Sequence, residues 1–337
     1  MAWYAVEELE TGLAATKQLL TPFDVRPWLV LGIIAFFVSG VSGFNPSASI
    51  NISDIISAPL FSTPAVAPGP APALGVGAVL AILVLVGLSI VVAIVFAYFG
   101  ALLEFVFVEV ARTQEVRIRG FAGNYLRAGL ALLLFRIAIG IIVIGMVIGA
   151  VVFTVLTAGI FLLFLFIASP IIVLVAIGIW VIGRFTTDFV VPIMIAEETG
   201  ILSAWERLAT DVRTAWKQYA VYALVRALLG VLAGIVVWIG FATVGLVVAI
   251  PFALIGLPGL FLLAVVAGLE AAAMVWGVTV LFAFLVTVLI IGTVLVQVPV
   301  QTYLRYYALL VLGRIAPEFE LPEDVRRTIS GDAPSVE

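Results

Sequence analysis

Asp188-Phe-Val-Val-Pro192, the acidic corner Glu197-Glu198-Thr199-Gly200, an amphipathic run to Lys217 and an apolar run entered at Arg226 together decide the fold of this chain. The stretch reads as a segment that leaves a membrane, lies along its surface and re-enters. On the surface portion Ile201, Trp205, Leu208, Val212 and Trp216 recur at helical spacing, opposite Glu206, Asp211, Arg213 and Lys217, which is the pattern of a helix with one apolar face.

The rest of the chain has the composition such a segment needs. Hydrophobic residues make up 64% of the 337 and charged residues 11%, with a mean hydropathy of +1.32. These values describe a polytopic membrane protein and exclude an ordinary soluble domain. There is no Cys and no His, so disulfides, thiolate chemistry and imidazole bases are all ruled out. Lys17 and Lys217 are the only lysines among the sixteen basic residues. With a pI near 5.0 and an acid-rich tail, this balance is the one expected of a salt-adapted prokaryote.

Outward from the deciding stretch, Val6, Leu9, Leu13, Thr16 and Leu20 give a helix lying on a membrane or protein surface. Asp24 caps and Pro27 opens a first span over 28–44. Residues 45–73 are rich in Pro, Ser and Ala and read as a loop. Further spans are expected at 74–110, 127–155, 161–190, 221–250 and 271–304. Pro251 to Gly268 is then an outer-leaflet or re-entrant segment, and 317–337 a polar, disordered tail. With six spans every Lys and Arg falls at or beyond one face, the positive-inside asymmetry, which places both termini in the cytoplasm. The expected fold is an all-α transmembrane bundle of three helical hairpins with cytoplasmic amphipathic connectors.

An internal repeat follows from position rather than identity. Lys17 and Arg26, Arg127 and Arg136, and Lys217 and Arg226 share one spacing at the three upward entries. Glu104, Asp188 and Gln297 occupy comparable places on the downward helices. Two accounts stay open. The arginines are independent anchors reaching to lipid headgroups, or they form a ring in which Glu104 pairs with Arg136, Asp188 with Arg226, and Gln297 with Arg26. Gly145-xxx-Gly149 and Gly230-xxx-Gly234 predict close helix approach. Asn51-Ile52-Ser53 is a glycosylation sequon, and Glu270 is either a helix cap or a coupling carboxylate.

Thr11-Gly12-Leu13-Ala14-Ala15-Thr16-Lys17, Thr21-Pro22-Phe23-Asp24-Val25-Arg26-Pro27-Trp28-Leu29 and Asn45-Pro46-Ser47 resemble uncharacterised haloarchaeal membrane proteins grouped as a domain of unknown function. Asp188 to Trp205, with Val191-Pro192 and Gly200 to Ala204, is similar to one turn of the six-span membrane domain of some glycerophosphodiester phosphodiesterases. Neither resemblance implies a catalytic residue, and the phosphodiesterase barrel with its metal motifs is missing from the sequence. The residues carry no base beside a nucleophile and no phosphate loop. The reading is a non-enzymatic protein of the cell membrane, structural or lipid-interacting, without cofactor. Its partners are anionic lipid headgroups at the cytoplasmic face, not nucleic acid. The alternative is a transporter or permease.

Overall fold

The computed structural model describes residues 3–21, 23–42, 76–114, 123–157, 160–268, 270 and 273–330, and among these every regular element is helical. In chain order they are α1 (Tyr4–Leu20), α2 (Val25–Ser42), α3 (Val76–Thr113), α4 (Leu126–Leu156), α5 (Ile160–Ile167), α6 (Ser169–Phe185), α7 (Val191–Glu197), α8 (Ile201–Thr214), α9 (Trp216–Ala267), α10 (Val278–Gly292), α11 (Val298–Ile315) and α12 (Glu323–Ser330). Short π-helical turns precede α7, α10 and α11 at Thr186–Val190, Ala273–Gly277 and Thr293–Gln297.

Five stretches are long and apolar enough to cross a membrane: Leu83–Thr113, Leu126–Leu156, Ser169–Glu197, Trp216–Val266 and Met274–Ile315. The first expected span corresponds to α2, a shorter apolar helix. Three boundaries differ from the sequence reading. The span expected at 161–190 is interrupted at Ala168, because Pro170 in the first turn of α6 has no N–H to continue the α5 ladder. The expected break at Pro251 does not occur. Both Pro251 and Pro258 lie inside α9, whose 52 residues rise about 78 Å. The tail is not disordered from 317 onward. Pro317–Phe319 forms a 3₁₀ turn and α12 follows, with Leu321, Val325 and Ile329 buried at every fourth position, an apolar stripe hidden in a charged segment.

The chain divides into two compact units. One comprises Met1–Phe36, Val106–Arg119 and Glu206–Glu337. Within it α9 and α10 form an antiparallel pair. Ascending α9 from Gly240 through Gly256 to Gly259, the contacts on the other strand of the hairpin descend from Val296 through Val280 to Trp276. The absent Cβ atoms let the backbones approach, since a methyl at Gly259 would come within 2.4 Å of the Trp276 ring. Trp276 Nε1 also donates to the Gly256 carbonyl at 2.9 Å. This packing explains why two prolines leave α9 continuous: a neighbour holds each side of the irregularity.

In the same unit α1 lies along α11. Its buried face is Ala5, Glu8, Gly12, Ala15, Thr16 and Leu20, rotated from the expected apolar face, so that Val6 and Leu13 are exposed. Small residues win because they admit the tyrosines of α11. Tyr307 donates to the Ala5 carbonyl at 2.9 Å and Tyr303 to that of Leu9 at 3.4 Å. Arg314 Nε donates to Glu8 Oε1 at 2.8 Å. Tyr222 stacks on Tyr307 at 5.7 Å. α12 completes this end by packing on α1.

The second unit comprises Phe37–Phe105 and Gly120–Trp205. Here Phe37 meets Phe96 at 4.6 Å, and Gly129 brings α4 against α3 at Leu102. Phe105 stacks on Tyr125 at 5.6 Å. Among the described residues the expected close approach at Gly145 and Gly149 is not made, for none lies within 4 Å of where their Cβ atoms would be. Gly234 in the other unit is equally open, and Gly230 faces only its own helix's Arg226. A pair of glycines one turn apart permits contact but does not supply a partner.

Candidate functional site

Two facts about α7 and the turn before it position the principal polar cluster. Pro192 has no N–H for the carbonyl four residues earlier, and the ladder responds by widening: Val191 N–H reaches back five residues to the Thr186 carbonyl. The same device recurs before α11, where Val298 N–H bonds the Thr293 carbonyl and Pro299 follows. A turn of this kind holds one extra residue, which rotates the side chains on it relative to a plain α-helix.

In the second unit that rotation presents Thr187 to Arg136. Arg136 Nη2 donates to both carboxylate oxygens of Glu104 at 2.7 Å and to Thr187 Oγ1 at 3.0 Å. Glu104 is fully buried, whereas the Arg136 side chain keeps 24% of its surface. Glu104 sits on α3 where the helix is buried from Ala101 to Val108, so its charge has a neighbour in place of water. Arg136 enters from α4 two turns past Gly129, whose close contact with Leu102 sets the two helices near enough for one guanidinium to span them. Asp188, next to Thr187 on the turn, is itself buried to 3%.

The first unit contains Arg26, Arg226, Glu270 and Gln297. Arg226 is buried to 3%. Arg26 is exposed at the start of α2, where its backbone N–H donates to Asp24 Oδ1 at 3.2 Å. Its guanidinium forms no ion pair or hydrogen bond with the described residues, so the structure does not join it to Gln297. Gln297 Oε1 accepts from Gln301 Nε2 at 3.4 Å. Aligning the two widened turns on their Val-Pro pairs sets Asp188 opposite Leu295 and Gln297 opposite Val190. Gln297 therefore does not take the place of Asp188, a correction to the sequence alignment of the three downward helices. Asn51 lies outside the described residues, and Glu270 is exposed.

Several polar contacts had no signal in local sequence. Arg305 lies over the Phe107 ring at 5.5 Å, burying a cation against an aromatic face. Arg207 pairs with Glu318 and Arg326 with Glu320, tying the tail down. Thr187 could have been suspected, because it stands beside an acid just before a Val-Pro pair.

On the surface segment, α8 stops at Thr214 and α9 begins at Trp216. Of the expected apolar face Leu208 is buried and Ile201, Trp205 and Val212 are half-buried, but Trp216 is 60% exposed because the helix axis breaks before it. Trp205 packs near Phe135 at 6.4 Å. Asp211 is held above the usual carboxylate range by burial, which outweighs Arg207 at 3.6 Å, with Glu318 adding to the rise. Among the described residues no group of three acidic side chains is placed to hold a metal ion.

Residues 3–322 match a family of unknown function, DUF7544. No curated protein and no solved structure matches the chain.

Proposed function

The chain belongs to the DUF7544 family of unknown function, and we propose from its own residues that it is a non-catalytic, lipid-interacting protein of the cytoplasmic membrane. One observation carries this. In each of the five long apolar stretches at most 11% of the most apolar window is buried within the protein, leaving its surface to hydrocarbon. The buried charged groups of those stretches lie toward their ends, at Glu104, Asp188, Arg226 and Arg305. A solute path would instead need polar groups converging partway along them.

Six spans, counting α2, with both termini in the cytoplasm, accord with the distribution of Lys and Arg. Anionic headgroups are the proposed partners at that face, where Arg26, Arg213 and Lys217 are exposed. The paired widened turns before Val191-Pro192 and Val298-Pro299 support an internal repeat, and the scarcity of lysine supports a salt-adapted source. Native mass spectrometry of gently extracted full-length protein tests the central reading. Retention of anionic lipid, displaced by raising salt, is expected. Uptake of a solute by vesicles containing only this protein, with no lipid retained, would replace this reading with a permease.

A further inference from the structure

Beyond Ile315 the chain turns back and builds one wall of a cavity. Pro317–Phe319 makes the turn, and Gly313 admits the returning backbone, since a Cβ there would come within 2.9 Å of the Glu320 Cα. Between α1, α11 and this returning segment lies a cavity of about 150 Å³. All its walls belong to one compact unit.

The lining is of two kinds. Leu309, Leu310 and Leu321 line the cavity and are at most 9% exposed, so they form an apolar floor. The other walls carry charge: Glu8 and Arg314 from α1 and α11, Glu320 and Arg326 from the returning segment and α12. Glu8 is only 6% exposed. Arg314 Nε donates to Glu8 Oε1 at 2.8 Å, and Arg326 Nη1 donates to Glu320 Oε1. Arg314 Nη2 also approaches Glu7 Oε2 at 3.8 Å. Glu8 Oε2, Arg314 Nη1, Glu320 Oε2 and Arg326 Nη2 take no part in these contacts, and each can accept or donate a further hydrogen bond. The arginine side chains keep 52% and 48% of their surface, so the charged rim is reached from water.

We propose that this cavity binds a small zwitterion, an α-amino acid with a short aliphatic side chain. The charges select the class. A carboxylate alone would lie beside Glu8 and Glu320, and an amine alone beside the two arginines, whereas a molecule carrying both groups complements both pairs. The floor selects the side chain, because methyl groups gain by covering leucines and a polar substituent there would lose its partners. The volume sets the size: a cavity of this volume takes up benzene, and valine is of similar bulk. Such a ligand is a dissolved solute, distinct from the lipid of the reading above, and the site does not depend on that reading.

Titration of full-length protein in nanodiscs with valine tests this. A ligand that binds only the folded state raises its stability as its concentration passes the dissociation constant, so the melting temperature should climb with added valine. Isobutyrate, which lacks the ammonium group, and isobutylamine, which lacks the carboxylate, should each need roughly tenfold more to give the same shift, the loss expected for a missing bond to a charged group. Thr11→Phe obstructs the cavity from its half-buried wall, and Arg326→Gln removes one exposed cation. Both should weaken the response to valine while the ligand-free protein melts close to the parent. No shift with valine overturns the site. So does an equal shift with all three compounds, which would mark a general solute effect, and so does a valine response unchanged in both variants, which would put binding elsewhere.

Discussion

One nitrogen of Arg136, Nη2, lies 2.7 Å from each carboxylate oxygen of Glu104, joining two helices through a charge pair of which the acid is wholly enclosed. Removing one partner of a buried pair strands the other and costs about 3–5 kcal/mol, while removing both relieves much of that loss. Glu104→Gln and Arg136→Gln should each destabilise the protein. The double variant should lose less than the two effects added, with a coupling of about 0.5–3 kcal/mol. Unfolding in nanodiscs measures the cycle, and strict additivity would show the arginine to be an independent anchor.

The glycines of the α9 and α10 hairpin separate from those that merely share its composition. Gly259→Ala places a methyl against the indole of Trp276 and is expected to destabilise by about 1–3 kcal/mol through overpacking. Gly145→Ala meets nothing within 4 Å among the described residues and should be neutral or slightly stabilising, since alanine is the better helix former. Equal effects in a thermal unfolding assay would contradict the hairpin register.

Asp211 supplies a dependence on pH. Its folded-state pKa is raised by burial, so folding disfavours its charged form, and stability is lost as pH rises through the folded value. Asp211→Asn should therefore melt higher than the parent at neutral pH. The advantage should shrink to nothing as pH falls below the ordinary aspartate value of about 3.9. A variant less stable at neutral pH would mean that the contact with Arg207 dominates burial.

Reporters inserted within 62–72 and after Glu337 address sidedness. They are expected on opposite faces, the latter cytoplasmic. Detecting both on one face would remove α2 or another helix from the set of spans.

Sequence pattern located the helices well where a single physical cause ruled the segment. Asp24 and Pro27 marked the start of α2, and Leu208 lay on the expected apolar face of α8. Reading failed where the deciding partner was remote. Hydropathy falls nowhere between Tyr222 and Ala267, and Pro251 suggested a break, but α10 packs against the glycines beyond it and α9 runs on. The buried face of α1 was missed because Tyr303 and Tyr307, which select small residues, lie almost the whole chain away. Within the candidate site, Glu104 and Arg136 were visible as charges at matching depth. Thr187 had only the neighbouring acid and Val-Pro pair to mark it, and the corresponding turn at Thr293–Gln297 displaced Gln297 from its expected equivalence with Asp188.

The bond from Tyr307 to the Ala5 carbonyl closes a loop of 302 residues, and that separation sets a clock. Chains grow at about 5–20 residues per second, so some 15–60 seconds pass between the appearance of α1 and that of the surface it docks against. During that interval the glycine and alanine face of α1, together with Glu8, lacks Tyr303, Tyr307 and Arg314. α1 is thus made long before its principal partner, and an interruption of synthesis before α11 would release a chain in which α1 lacks the tyrosines that fasten it.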